Sequence, residues 1–151
     1  CDQPTAKVIE IANEFGIKVE LLEVIGDRAI WDQKLFSLAT KYQPDLIVCA
    51  GFMRILAPQF VQTFKVINSH PALLPLFPGA HAVRDALAAG ASVTGTTIHW
   101  VDEGIDTGEV IAQEHLVIAP TDTEESLHER IKIIERGLIV ATIPQILAEL
   151  K

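Results

Sequence analysis

Three prolines fall within eight positions in the middle of this 151-residue chain, Pro71, Pro75 and Pro78, and Gly79 follows them. Proline lacks a backbone N–H and fixes φ, so this stretch can form neither a helix nor a central strand. Any regular element running into it must end there. The element that does so is an apolar strand pattern, Lys65 to Ile67, which delivers Asn68, Ser69 and His70. On extended backbone, residues two apart share a face. The amide of Asn68 and the imidazole of His70 therefore point one way and Ser69 the other. The stretch reads as the carboxyl end of a strand opening into a rigid loop, the position where open α/β sheets bind ligands.

Helix and strand patterns alternate around it. Thr5 to Phe15 carries an apolar stripe of Val8, Ile9, Ile11, Ala12 and Phe15, with Thr5 as cap and Gly16 as stop. Lys18 to Val24 reads as a strand. Asp27 caps a helix running to about Tyr42, with Ile30, Trp31, Leu35, Leu38 and Ala39 facing inward, and Pro44 ends it. Leu46 to Ala50 is a continuous apolar run of the kind that fills a parallel sheet. Gly51 then frees the backbone to turn. Pro58 to Phe64 and Ala82 to Ala89 are short helices. Val93 to Val101 and Val110 to Ile118 form a late antiparallel pair across the acidic loop Asp102 to Gly108. The last helix, Thr123 to Thr142, repeats Leu127, Ile131, Ile134, Leu138 and Ala141 at helical spacing, and Pro144 kinks or restarts it. This order predicts a single three-layer α/β domain with a mostly parallel sheet.

Twelve basic residues against twenty acidic ones give a formal net charge of -8, which argues against a nucleic-acid partner. Two cysteines, Cys1 and Cys49, are too few for a disulfide scaffold. Cys49 lies in an apolar run and reads as a buried thiol in a reducing compartment. With neither a signal peptide nor a membrane-spanning run, the expectation is a cytoplasmic protein with no membrane partner. The chain opens on Cys1 in a loop entering a helix, where a strand is expected to come first.

Asn68, His70 and Asp106 are the sharpest candidates for chemistry. An amide N–H stabilises an oxygen that becomes negative. An imidazole donates or carries charge near neutral pH, and a carboxylate fixes its tautomer or relays a proton. On spacing alone, the alternative is that they are polar groups capping loops. The histidines, His70, His81, His99, His115 and His128, show no metal-ligand spacing, and no metal is expected. His99 and His115 read as strand residues that pack or face water. Ser69 lacks a nucleophile elbow. Arg28 and Arg54 are either pocket cations or exposed, and Arg130, Lys132 and Glu135 read as surface charge on the last helix.

Three segments together, Ala50-Gly51-Phe52-Met53-Arg54-Ile55-Leu56, Asn68-Ser69-His70-Pro71 with Leu73-Leu74-Pro75 and Phe77-Pro78-Gly79, and Asp102-Glu103-Gly104-Ile105-Asp106-Thr107-Gly108, resemble the phosphoribosylglycinamide formyltransferase family. The likeness runs in order from residue 1 to about residue 150. The Asn-x-His-Pro core is shared with methionyl-tRNA formyltransferases and formyltetrahydrofolate deformylases. The first segment and the acidic balance favour the glycinamide ribonucleotide branch. The resemblance implies a Rossmann-like formyltransferase fold over residues 1–151. It implies formyl transfer from 10-formyltetrahydrofolate to glycinamide ribonucleotide in purine synthesis, with no metal.

The resemblance also implies the residue roles. Asn68, His70 and Asp106 are the catalytic trio, with Asn68 and His70 on the oxyanion and Asp106 moving the amine proton. Phe52, Met53, Arg54, Ile55 and Leu56, with Val101, Asp102, Glu103, Gly104 and Ile105, form the folate pocket, and Arg28 lies near the glutamate tail. Met53, Ile67, Asn68 and Pro71 border the substrate, which Arg130 and Glu135 meet from the last helix. Family members open with a strand and a loop that cradles the substrate phosphate; about fifty such residues are expected to be missing here. The chain alone is then expected to bind the ribonucleotide poorly, with a homodimer or a separate N-terminal piece as partner. Two other readings stay open: a deformylase or tRNA formyltransferase, and a non-catalytic fragment that only binds folate.

Overall fold

The computed structural model describes residues 1–150. The chain divides into two compact units, Cys1–Pro44 and the remainder from Asp45.

The first unit holds α1 (Lys7–Glu14) and α2 (Arg28–Tyr42). The α1 helix starts later than its apolar pattern: Ala6 is the N-cap, with no side-chain cap bond, so Thr5 does not cap it. None of its residues is buried, and Phe15 just beyond it is 76% exposed. The apolar stripe read from the sequence there is not buried. Asp27 does cap α2, accepting the N–H groups of Ala29 and Ile30 at 2.8 and 3.2 Å. On α2 only Trp31 is buried, and Ile30 faces outward. The strand expected at Lys18 to Val24 does not form. An extended segment becomes a strand only with a ladder partner. Here Leu22 N–H donates to the Cys1 carbonyl and the Cys1 amine to the Glu20 carbonyl, two bonds to one terminal residue.

The second unit carries β1 (Ile47–Cys49), α3 (Pro58–Thr63), β2 (Val66–His70), α4 (Ala82–Ala88), β3 (Val93–Trp100), β4 (Val110–Val117) and α5 (Glu124–Glu149). The sheet order is β1-β2-β3-β4. β1 and β2 are parallel, while β2–β3 and β3–β4 are antiparallel. The expected α/β sheet, parallel early with an antiparallel hairpin late, is thus present, and its antiparallel part begins at β2. The β2–β3 register sets Asn68 opposite His99, Ser69 opposite Ile98 and His70 opposite Thr97.

One sheet face packs on α5 through Ile67, Ile98 and Ile146, with Val48, Trp100, Leu138 and Ile139 around them. Each of these three isoleucines is at most 3% exposed, and burial of such a side chain contributes about 1.5–3 kcal/mol. A second cluster joins Val83 of α4 to Leu127 and Ile131 of α5. The α5 helix runs unbroken through Pro144 to Glu149. Of the two expected outcomes at Pro144, a kink or a restart, the restart does not occur: Ile146 stays anchored in the core beyond the proline. Thr123 and Ser126 complete a reciprocal capping box at its start.

Candidate active site

The other sheet face carries the polar groups. β2 extends through His70, so Asn68 and His70 project to the face opposite Ile67 and Ser69. Their cross-strand partners His99 and Thr97 lie on the same face. The proline-rich loop covers this face and is tied to it. Thr97 Oγ1 donates to the Ala72 carbonyl at 2.6 Å and accepts the Leu74 N–H at 3.0 Å. Gln113 of β4 donates to the Leu74 carbonyl at 2.9 Å.

Asp106 comes from the β3–β4 loop and meets the strand residues despite its distance along the chain. Its Oδ2 lies 3.3 Å from His70 Nδ1 and its Oδ1 lies 3.6 Å from His99 Nε2. Asn68 Nδ2 is 3.4 Å from the same His99 nitrogen. The His70 and His99 side chains are 4% and 3% exposed and that of Asp106 13%, so the contacts are shielded from water. His70 Nε2 donates to the Phe77 carbonyl at 2.8 Å, and Gly79 N–H donates to Asp106 Oδ2 at 2.7 Å. His99 Nδ1 donates to the Trp100 carbonyl at 2.9 Å, which leaves Nε2 turned toward Asn68 and Asp106.

Asp106 and Phe77 both adopt left-handed backbone, at φ 54° and 53°. Such a conformation costs a non-glycine residue about 1–2 kcal/mol, and strain of this kind gathers at functional sites. The acidic loop is shaped from within: Asp102 Oδ1 accepts Gly104 N–H at 2.9 Å and Thr107 Oγ1–H at 2.7 Å.

The expected trio of Asn68, His70 and Asp106 therefore converges. In this conformation both ring nitrogens of His70 are engaged, so neither is turned to an oxyanion. The structure adds His99, which its alternating strand hid: Gly95, Thr97 and His99 share a face, but only the β2–β3 register shows which face that is.

The residues expected around the trio fare differently. Phe52 to Leu56 follow the Gly51 turn after β1, where Leu56 is buried, Phe52 and Arg54 half-buried, and Met53 and Ile55 exposed. Val101 lines a cavity of about 190 Å³ with Val61, Gln62, Phe64, Lys65 and Trp100. Glu103 accepts a bond from Gln62 of α3 at 2.6 Å, while Gly104 and Ile105 are exposed. Pro71 is half-buried beside His70. The Ile67 side chain fills the α5-side core, so only its backbone faces the Asn68 side. Glu135 of α5 accepts the Ser69 hydroxyl, on that same α5 side. Arg130 donates to Asp122 and to the Val117 carbonyl, which ties it to the start of α5. Arg28 pairs with Asp32 at 2.7 Å and stacks 5.4 Å above the Trp31 ring, all within the first unit.

Comparison with known proteins identifies the family of the chain. Residues 1–143 match the family model described as formyl transferase. The chain is 48% identical to phosphoribosylglycinamide formyltransferase of Mycobacterium tuberculosis (strain ATCC 25618 / H37Rv) over 141 residues, covering 91% of this chain and 66% of that protein. It is 40% identical to the Bacillus subtilis (strain 168) protein of the same name, covering 97% of this chain and 77% of that one. The crystal structure of phosphoribosylglycinamide formyltransferase from Bacillus Halodurans superposes with a TM-score of 0.91 at 38% identity, covering 99% of this chain and 79% of the other. The Streptococcus pneumoniae TIGR4 structure gives 0.90 at 35%, covering 97% and 83%. The chain thus spans just under two thirds of its mycobacterial relative, at 66% of that protein's length.

Proposed function

Because this chain belongs to the formyl transferase family, we propose that it transfers the formyl group of 10-formyltetrahydrofolate to the amine of glycinamide ribonucleotide. The names of its relatives support the acceptor. The observation that carries the reading is the convergence of Asn68, His70 and Asp106 on one shielded face.

The chemistry follows from those groups. The amine nitrogen bonds the formyl carbon with its lone pair, and the carbonyl π electrons move onto the oxygen. Asn68 Nδ2–H donates to that oxygen as it becomes negative. His70 holds Asp106 in place: with Nε2–H on Phe77, a proton on Nδ1 makes the 3.3 Å contact a charge-assisted bond. The Asp106 carboxylate takes the proton shed by the amine, directly or through a water. The oxyanion's electron pair then re-forms the C=O bond as the C–N10 bond of the folate breaks, the electron pair of that bond returns to N10, and N10 takes the proton held by Asp106, directly or through a water. One C–N bond forms and one breaks, so the balance requires no redox partner.

We assign the folate to Phe52–Leu56 and Val101–Ile105 and the ribonucleotide to Met53, Asn68 and Pro71, with Arg130 and Glu135 as further contacts and the backbone of Ile67 at the border. We place the protein in the cytosol, which keeps thiols such as Cys49 reduced. The test is an acceptor screen with 10-formyltetrahydrofolate, following tetrahydrofolate release. Turnover that depends on glycinamide ribonucleotide supports the proposal. Release with water alone, or with charged initiator tRNA in its place, would assign the chain to another branch. Tight folate binding with no turnover would make it a binding fragment.

A further inference from the structure

We propose that the loop residues Phe77 to Gly79 act as a two-point positioning device for the His70–Asp106 pair, a role that rests on the formyl-transfer reading above. The pair is held from both ends by one tripeptide. The Phe77 carbonyl takes the Nε2–H of His70 at 2.8 Å, and the Gly79 N–H, two residues on, meets Asp106 Oδ2 at 2.7 Å. Oδ2 is also the oxygen that faces His70 Nδ1 at 3.3 Å. The circuit closes through carbonyl, imidazole, carboxylate and amide.

A carbonyl oxygen only accepts, so the Phe77 contact fixes a proton on Nε2 and leaves Nδ1 as the ring nitrogen that exchanges a proton with Asp106. The Gly79 amide fixes Oδ2 against His70, which leaves Oδ1 as the oxygen on the His99 side. The titratable group facing the carboxylate from the strands is His99, which Asn68 meets in turn, and these two backbone groups face the pair from the loop. Both clamp residues need unusual backbone, φ 53° at Phe77 and 90° at Gly79. A Cβ at Gly79 would meet nothing within 4 Å, so glycine is required there by conformation rather than by space. A bulky aromatic residue kept in left-handed backbone is the unusual feature, and the carbonyl direction that this conformation produces accounts for it.

The test changes the backbone preference and leaves the reacting side chains untouched. Valine, β-branched, resists the left-handed region that asparagine tolerates. Phe77→Val is expected to lower kcat by about tenfold to a hundredfold with both KM values within about twofold, and Phe77→Asn to recover most of that loss. Melting curves and circular dichroism check that both variants fold. In parallel, ¹⁵N-resolved NMR of the unmodified chain is expected to show a slowly exchanging Nε2–H on His70, absent in Phe77→Val. Wild-type turnover in Phe77→Val, or an asparagine variant no better than the valine one, would overturn the proposal. So would a His70 Nε2 without a protected proton. The NMR arm needs no substrate: if the chain catalyses no formyl transfer, the functional reading fails while the clamp is still decided.

Discussion

Asp106 meets demands that no other residue type satisfies together. It accepts the Gly79 amide, faces two imidazoles and tolerates left-handed backbone. Asparagine keeps the shape and the amide bond but carries no charge and takes no proton. Asp106→Asn is therefore expected to fold and bind folate as before while kcat falls by about a hundredfold or more, read by steady-state kinetics beside a folate titration. Asn68→Ala removes the oxyanion donor and is expected to cost at least about tenfold in the same assay. Normal turnover in both variants would remove the trio from the chemistry. Cys49 is the contrasting case, a reactive group kept inert by its surroundings. It is 8% exposed at the end of β1, and burial pushes its thiol up to about 11. A thiol reagent at mildly alkaline pH is expected to modify Cys1, which is exposed, and leave Cys49 intact until the protein is denatured, as peptide mass mapping would show.

The start of α5 shows how a local network anchors a whole element. Asp122 Oδ2 takes the Ala119 N–H and the Arg130 guanidinium, and its Oδ1 takes the Ser126 hydroxyl of the capping box. The Ala119 amide first, then Ser126 and Arg130, hold this carboxyl below its usual range. A carboxyl with a lowered folded-state pKa stabilises the fold above its unfolded value of about 3.9 and loses that contribution as pH falls through the folded value. Asp122→Asn is thus expected to melt below wild type at neutral pH, with the gap closing in strong acid. A gap unchanged with pH would mean that the carboxylate charge plays no part. Elements like this one were legible in the sequence because their signals are local: a cap, an apolar period, a proline stop. Asn68 and His70 were legible for the same reason, since alternation along one strand fixes their shared face. His99 was not, because its place depends on which strand pairs with which. The failed strand at Lys18 to Val24 had the right residues, but strand formation is decided by a partner the local pattern does not contain. Pro144 left a kink and a restart both open because its cost is local, whereas the anchor beyond it, Ile146, is set by tertiary packing.

At the scale of the molecule, burial is shared unevenly. In Cys1–Pro44, Trp31 is the single buried side chain among the described residues, its indole N–H donating to the Leu22 carbonyl at 3.1 Å. The unit from Asp45 holds both apolar clusters and the whole of the Asn68, His70, His99 and Asp106 constellation. Opening free energy tracks buried apolar contact, so the two units should not open together. Amides of α1 and of residues 17–25 are expected to exchange with solvent far sooner than those of β2 and β3, and brief proteolysis under native conditions to cut first before Pro44. Equal protection in both units, or a first cut within β3 or β4, would contradict this. The outcome bears on the site itself. A nick in the first unit leaves every contact of the His70–Asp106 pair in place, so the protected Nε2–H of His70 should survive it. A His70 signal lost on the same nick would contradict that expectation, and the ¹⁵N spectrum of the intact chain is the reference that reads it.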